Sequence, residues 1–251
     1  MLDFPFDILV LIAAGLFAGF VNTMAGGGSL LTLPLLIFLG LPPATANGTN
    51  RIAIFVSASS ATLGFRSKNI NSFPFSIYLG ITAFLGALIG ARIAVEIDGL
   101  LFNKILAIIM IAVVLLMVFK PNYKSELLKP KTTGKTLIWS MIAFFFIGIY
   151  GGFINAGIGF IIMLFLNYVN KLDLVRVNAT KVALVLIYTT GALATFILSG
   201  HINLKYGIAL ALGNAAGAFF ASRYSVRKGD GVIKIVMIVM VIAMSVKLWF
   251  F

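Results

Sequence analysis

The chain has no cysteine and a single histidine, His201. Without thiols there is no disulfide frame, no thiolate nucleophile and no zinc–sulfur cluster. A metal site or a Ser-His pair would have to be built around one imidazole in a short polar loop, so neither is expected. Acidic residues are also scarce, with 7 Asp and Glu against 19 Lys and Arg among 251 residues. The amino terminus carries Asp3 and Asp7 and no basic residue before residue 8, unlike the n-region of a cleavable signal peptide. Charged residues make up only 10% of the chain and apolar ones 61%, too little polar surface to coat a soluble globule.

What the chain does have is apolar length. Mean hydropathy is +1.11. Breaker residues divide the sequence into apolar segments at about 8–24, 29–40, 44–65, 73–92 and 100–119, then 136–154, 158–170, 174–198, 204–222 and 232–250. The longer ones approach the roughly 20 residues that a helix needs to cross about 30 Å of hydrocarbon. The runs are continuous and lack the alternation of barrel strands. The fold class is therefore an all-α, polytopic helical membrane protein, which excludes a secreted enzyme, a nucleic-acid-binding domain and a β-barrel.

The second series of segments repeats the first. Gly15, Gly19-Phe20-Val21-Asn22 and Gly26 stand 133 positions before Gly148, Gly152-Phe153-Ile154-Asn155 and Gly159, and Asn47 and Thr49 stand 131 before Asn178 and Thr180. The match continues through Ile70-Asn71 and Ile202-Asn203, Arg92 and Arg223, and Asp98-Gly99 and Asp230-Gly231, at offsets of 131 or 132. The expected organisation is a first transmembrane repeat at 1–119, a lysine-rich connector at 120–135, and a second repeat at 136–251.

Each repeat opens with an interrupted segment. Gly26-Gly27-Gly28 is poor helix interior, each glycine costing about 1 kcal/mol relative to alanine, so the chain should turn there. The arms are then about 17 and 12 residues, and the second is too short to span. A re-entrant hairpin or a pair of short tilted helices fits these lengths. Asn155-Ala156-Gly157-Ile158-Gly159 would be the corresponding tip. If each hairpin returns to its starting side, three crossings follow in each half, and 14 of the 19 basic residues fall on one face. If each hairpin region crosses once, the split is 10 to 9. Basic residues collect in cytoplasmic loops, so the asymmetry favours hairpins, a cytoplasmic connector and both termini outside the cytoplasm. An odd number of crossings per half makes the repeats inverted, the plan of many secondary transporters. The net charge of +12 is then a topology signal and a contact for anionic lipid headgroups, with no nucleic-acid partner needed.

All seven carboxylates are expected in termini or loops, which removes the usual intramembrane cation or proton site. The polar residues within the spans are neutral or basic. In the third segment, Asn47-Gly48-Thr49-Asn50-Arg51 puts Arg51 about 10 Å deep by helical rise, and Lys181 occupies a like position within Asn178-Ala179-Thr180-Lys181, on a helix that Asp173 would cap. Asn47, Asn50 or Arg51, then Ser57 follow helical spacing along one face, and Asn178, Lys181 and Thr189 do so on the other helix. Return arms starting near Ser29 and Ile158 would present backbone N–H groups and the positive end of a helix dipole, with Asn22, Thr23, Ser29 and Asn155 beside them. Such donors suit an anion. The candidate binding residues are Asn22, Thr23, Gly26, Gly27, Gly28, Ser29, Asn47, Thr49, Asn50, Arg51, Asn155, Gly157, Gly159, Asn178, Thr180 and Lys181. Gly80, Gly86, Gly90, Gly213 and Gly217 read equally as positions that let helices pack closely, Arg51 and Lys181 read also as structural anchors that snorkel to the interface or pair with backbone carbonyls, and Asn22 and Asn155 read also as helix caps.

Gly19 to Ser29 with Leu33-Pro34, Gly40-Leu41-Pro42-Pro43-Ala44-Thr45-Ala46-Asn47-Gly48-Thr49-Asn50-Arg51, and Gly151 to Gly159 carry a resemblance over essentially the whole chain. The sequence resembles the TauE/SafE family of membrane transporter proteins, associated with sulfite and organosulfonate export. It departs from that family at Lys181, where a small or polar residue is usual. The resemblance implies transport of a small anion, often sulfur-containing, across a prokaryotic cytoplasmic membrane. The expectation is a secondary transporter rather than an enzyme, with no cofactor or metal. An anion channel, or a non-transporting assembly or lipid-binding protein, is the alternative. No GxxxxGK[ST] motif is present, so ion gradients or the substrate's own gradient would supply the energy.

Overall fold

The computed structural model describes residues 4–118 and 129–224, which form helices only. In chain order they are α1 (Phe4–Met24), α2 (Ser29–Phe38), α3 (Pro43–Arg66), α4 (Phe75–Glu96), α5 (Gly99–Val118), α6 (Gly134–Phe153), α7 (Ile158–Tyr168), α8 (Leu174–Leu198) and α9 (Leu204–Tyr224). The expected segment at 232–250, most of the connector and the carboxy terminus lie outside the described residues. Five of the described helices, α1, α4, α6, α8 and α9, are long and apolar enough to cross a membrane.

Local chemistry explains where these helices break. Gly26 at φ +82° and Gly157 at φ +71° adopt the left-handed conformation that ends a helix without a Cβ penalty. Asn155 joins them at φ 61°, as asparagine can. The return arms α2 and α7 are 10 and 11 residues long, about 15 to 17 Å, half of what a span requires. Pro43 opens α3 at the first helical position, where its missing N–H is not needed. The Asp173 carboxylate accepts from the backbone N–H groups of Val175 and Arg176 and caps α8 as the sequence implied.

Two carboxylates expected in termini or loops lie in helices: Glu96 is the exposed last residue of α4, and Asp7 belongs to α1. Asp7 is not in a terminal tail: α1 begins at Phe4, so Asp7 sits in its first turn, 3% exposed, with the Tyr206 hydroxyl donating to its Oδ2 at 2.8 Å. The apolar run suggested a start at residue 8, but Phe4-Pro5-Phe6 extends the helix by nearly one turn.

The helices pack in pairs: α1 lies along α9, α6 along α4, and the central α3 and α8 touch each other while α3 meets α9 and α8 meets α4. Glycines make the outer pairs close. A Cβ at Gly15 or Gly19 would fall on the α9 backbone at Leu210 or Asn214, and one at Gly148 or Gly152 would fall on the α4 backbone at Ala83 or Ala87. Close backbone approach of this kind is how helices associate where lipid offers no hydrophobic drive. Outward faces carry bare apolar side chains, such as Leu85, Trp139 and Phe146, the last 63% exposed. Phe144 of the same aromatic run is fully buried.

Candidate functional site

The two hairpin tips meet at the centre of the fold. A Cβ at Gly26 would overlap Gly159, and one at Gly159 would overlap Gly26, so bare backbone touches bare backbone. Gly28 packs against Ala18 and Asn22 of its own hairpin, Gly157 lies against Val113 of α5, and Gly27 is buried. The tip glycines thus bring the hairpins together, and the space directly between Gly26 and Gly159 is filled by chain.

Beside this crossing is a small cavity lined by Asn22, Thr23, Ser57, Asn155, Gly159, Lys181 and Tyr188, with Ala58, Ile158, Val182 and Val185. Its volume is about 10 Å3, room for about one water molecule. Lys181 is 2% exposed; its Nζ donates to the carbonyl of Thr23 at 2.9 Å and to Asn178 Oδ1 at 2.8 Å, and approaches Met163 Sδ at 3.5 Å. Asn155 Nδ2 donates to Ser29 Oγ at 3.1 Å while its Oδ1 accepts from the Tyr188 hydroxyl at 2.6 Å. A chain from Tyr188 through Asn155 to Ser29 therefore ties α8 to both hairpins. The left-handed backbone at Asn155 aims its amide across the tip crossing.

The lining contains one lysine and no carboxylate, with amide and hydroxyl groups around it. Chemically this set can hold a small anion: a buried ammonium supplies charge, and neutral donors supply directed hydrogen bonds. Among the candidate residues, the structure brings Asn22, Thr23, Asn155, Gly159 and Lys181 to the cavity, and places Ser29 and Asn178 one hydrogen bond behind it.

Arg51 is placed differently. It is fully buried, and its guanidinium donates to the carbonyls of Gly151 at 2.5 Å and Gly152 at 2.7 Å and to Asn47 Oδ1 at 3.3 Å. Asn47 Nδ2 donates to the carbonyl of Phe153 at 2.7 Å. These three carbonyls belong to the last turn of α6, where helix geometry leaves them without intrahelical partners and the dipole is negative, so a cation there is doubly favoured. Asn50 Oδ1 accepts from Thr32, and Thr49 Oγ1 accepts from the backbone N–H of Asn203. Asn47, Thr49, Asn50 and Arg51 do not line the cavity.

Thr180 faces a second and larger space, a vestibule of about 520 Å3 formed by the α3–α4 loop, residues 130 and 132 and the start of α8. Asn69, Asn71, Ser72, Asp173 and Arg176 are on its wall. Successive residues of α8 thus look into different spaces, Thr180 into the vestibule and Lys181 into the cavity. The site residue that sequence reasoning missed is Tyr188, seven positions after Lys181 and hence on the same face of α8. That spacing was a usable signal. Thr189 is also buried but does not line the cavity.

Residues 11–248 match the family described as sulfite exporter TauE/SafE. Among curated relatives, a probable membrane transporter protein of Haemophilus influenzae is 29% identical over 98% of this chain and 96% of its own length. The probable membrane transporter protein ORF9 of a Sinorhizobium species is 28% identical over 99% and 95%, and the probable membrane transporter protein YfcA of Escherichia coli K12 is 29% identical over 97% and 90%. No solved structure is a significant match. With nearly the whole chain inside the matched region, the protein belongs to the sulfite exporter TauE/SafE family.

Proposed function

We propose that this membrane transporter is a secondary carrier of a small anion, sulfite or an organosulfur or other small organic anion, which binds in the cavity beside the hairpin crossing. The observation that carries the reading is the cavity lining: the Lys181 ammonium and the Asn22, Ser57, Asn155 and Tyr188 side chains converge there with no carboxylate among them. A buried cation acts at an effective dielectric constant near 20 rather than 80, so an anion about 4 Å away gains on the order of 4 kcal/mol before desolvation is subtracted. A cavity of about 10 Å3 is smaller than an anion of several heavy atoms, so binding one requires the helices to part.

Alternating access between two inverted repeats, 1–119 and 136–251, is the proposed mechanism. It is supported by helix contacts that exchange in pairs: α1 on α9 corresponds to α6 on α4, and α3 on α9 to α8 on α4. Placement in the cell membrane with both termini outside the cytoplasm follows the basic-residue count. Lys68, Lys131 and Lys171 on the loops around the vestibule and Arg176 in the first turn of α8 support a cytoplasmic mouth and contacts of its rim with anionic lipid.

The test is a thermal-shift screen of the purified protein against sulfite, sulfate, thiosulfate, sulfoacetate, acetate and chloride, followed by flux in proteoliposomes. Stabilisation by one or more anions that is lost in Lys181→Gln, with saturable flux stimulated by counter-substrate, is expected. Flux that is linear in concentration would indicate a channel. A flat screen would remove the anion reading.

A further inference from the structure

Between the vestibule and the cavity stands an apolar partition. Phe65, 1% exposed near the end of α3, packs with Ala61, Ala179, Val182 and Ala218, and Ile70 and Val175 lie against this cluster. Ile70 and Val175 are also on the vestibule wall and Val182 is on the cavity wall, so the cluster separates the two spaces. Its bulk comes mainly from one ring, since alanines supply much of the rest.

The position 131 after Phe65 is Phe196, and the positions 131 before Ala179 and Val182 are Gly48 and Arg51. This is the offset that relates Asn47 to Asn178. Phe196, 0% exposed near the end of α8, lies against Gly48, where an added Cβ would come within 3.0 Å of its ring, and the Arg51 guanidinium sits 5.7 Å from the ring centroid. The cluster that joins Phe65 to Ala179 and Val182 thus has its counterpart, at the same offset, in Phe196 beside Gly48 and Arg51 toward the opposite end of the α3–α8 pair. Gly48 and Phe65 are 17 residues apart on α3, about 25 Å by helical rise, close to the thickness of the hydrocarbon core. Ser57 of the cavity lies midway, eight residues from one and nine from the other.

We infer that Phe65 and Phe196 are paired gates, Phe65 closing the cavity toward the vestibule and Phe196 closing it toward the other side of the membrane. The inference rests on the transport reading and adds the path. The two gates differ in how they are held. At the Phe65 gate the neighbour is Val182, which offers only van der Waals contact. At the Phe196 gate it is Arg51, which hydrogen bonds to the carbonyls of Gly151 and Gly152. A ring packed among alanines can leave by rotating or by small separation of α3 from α8; a ring under a guanidinium fixed to α6 requires that hairpin to move as well. Opening on the far side is thereby tied to movement of the second hairpin, and opening on the vestibule side is not.

The chain has no cysteine, so one introduced thiol reports alone. With Ser57→Cys as the reporter in proteoliposomes of defined orientation, modification by a negatively charged, membrane-impermeant thiosulfonate is timed from each side. Removing a large buried side chain weakens the closed state, so Phe65→Ala should speed modification from the vestibule side by about tenfold or more and leave the other side within about twofold. Phe196→Ala should do the reverse. Where an alanine variant fails to fold, Phe65→Leu and Phe196→Leu decide the matter with smaller changes of the same sidedness. Unchanged rates, faster modification from the same side in both variants, or equal acceleration from both sides would overturn the gates. Thiol modification needs no transport, and flux is measured on the chain with Ser57 in place, so side-specific acceleration with no anion flux would retain the gates and reject the anion reading, and flux without side-specific acceleration would do the opposite.

Discussion

At the broken end of α6, Asn47 and Arg51 of α3 satisfy the carbonyls of three consecutive residues, Gly151, Gly152 and Phe153. At the broken end of α1, Lys181 of α8 donates to the carbonyl of Thr23 and also forms part of the cavity wall. The two cations look equivalent in the sequence, but at the offset that aligns Asn47 with Asn178, Lys181 corresponds to Asn50 and Arg51 to Val182. A shift of one residue turns a side chain by about 100° around a helix. Both halves therefore place a cation on the end of the opposite hairpin, and of the two only Lys181 also lines the cavity. Arg51 is on this geometry the anchor of α6, and Lys181 the cation that an anion in the cavity would meet.

The comparison breaks most decisively at Arg51. Arg51→Gln removes two hydrogen bonds from a charged donor to buried carbonyls, each worth about 1.5 to 3 kcal/mol, and glutamine can restore one of them in weaker form; a net loss of about 3 kcal/mol in stability is expected. In a chain of this size that lowers the thermal midpoint in detergent by roughly 6 to 12 °C. Anion affinity should change less than about threefold. Lys181→Gln should do the converse: roughly 2 kcal/mol of binding, about 30-fold in Kd by calorimetry, would be lost after desolvation is allowed for. Its stability cost should be smaller than that of Arg51→Gln. If the affinity loss followed Arg51 and the stability loss followed Lys181, the assignment of anchor and ligand would be inverted.

Much of the fold was legible because helix ends are set by local chemistry. Gly26, Pro43, Gly157 and Asp173 act on their own neighbours, and the described helices end within a few residues of the breaks they imply. Asp7 was misplaced because an amphipathic first turn is weak in an apolar-run reading. The site was legible only in part. Asn22, Thr23, Asn155 and Lys181 carry polarity into apolar spans and Gly159 marks a break, so they stand out, whereas Tyr188 is one aromatic within a long apolar helix and is not among the candidates. Arg51 could not have been resolved from sequence at all. Whether a buried guanidinium meets a ligand or a helix end depends on carbonyls 100 residues away, and nothing in the local pattern around Arg51 encodes them.

Tyr188 sharpens the comparison on the cavity side. Its hydroxyl donates to Asn155 Oδ1, and the ring lines the cavity, so Tyr188→Phe keeps the wall and removes one hydrogen bond. A neutral hydrogen bond contributes about 1 kcal/mol, and the expected change in anion Kd is about fivefold, measured by calorimetry beside Lys181→Gln. No change would mean that the Asn155 amide holds its orientation through Ser29 alone.

The smallest effect is expected at Arg92, which is exposed on the last part of α4 and stands 131 positions before Arg223. Arg223 is in the last turn of α9 and Arg92 lies about one turn before the end of α4, both exposed, where a long side chain reaches headgroups and water. Charges in such places are screened over a Debye length of about 8 Å at physiological ionic strength, and their field falls further across the protein between them and the cavity. Arg92→Gln should therefore alter anion Kd by less than about threefold, under 0.7 kcal/mol, and less at high salt than at low. Glutamine retains most of the side-chain length and its hydrogen bonding, so a change would report charge alone. Calorimetry at two ionic strengths decides the point. An effect of Arg92→Gln equal to that of Lys181→Gln, and insensitive to salt, would mean that the anion lies near the end of α4 rather than beside the hairpin crossing, and the distinction between an anchoring and a binding cation would lose its basis.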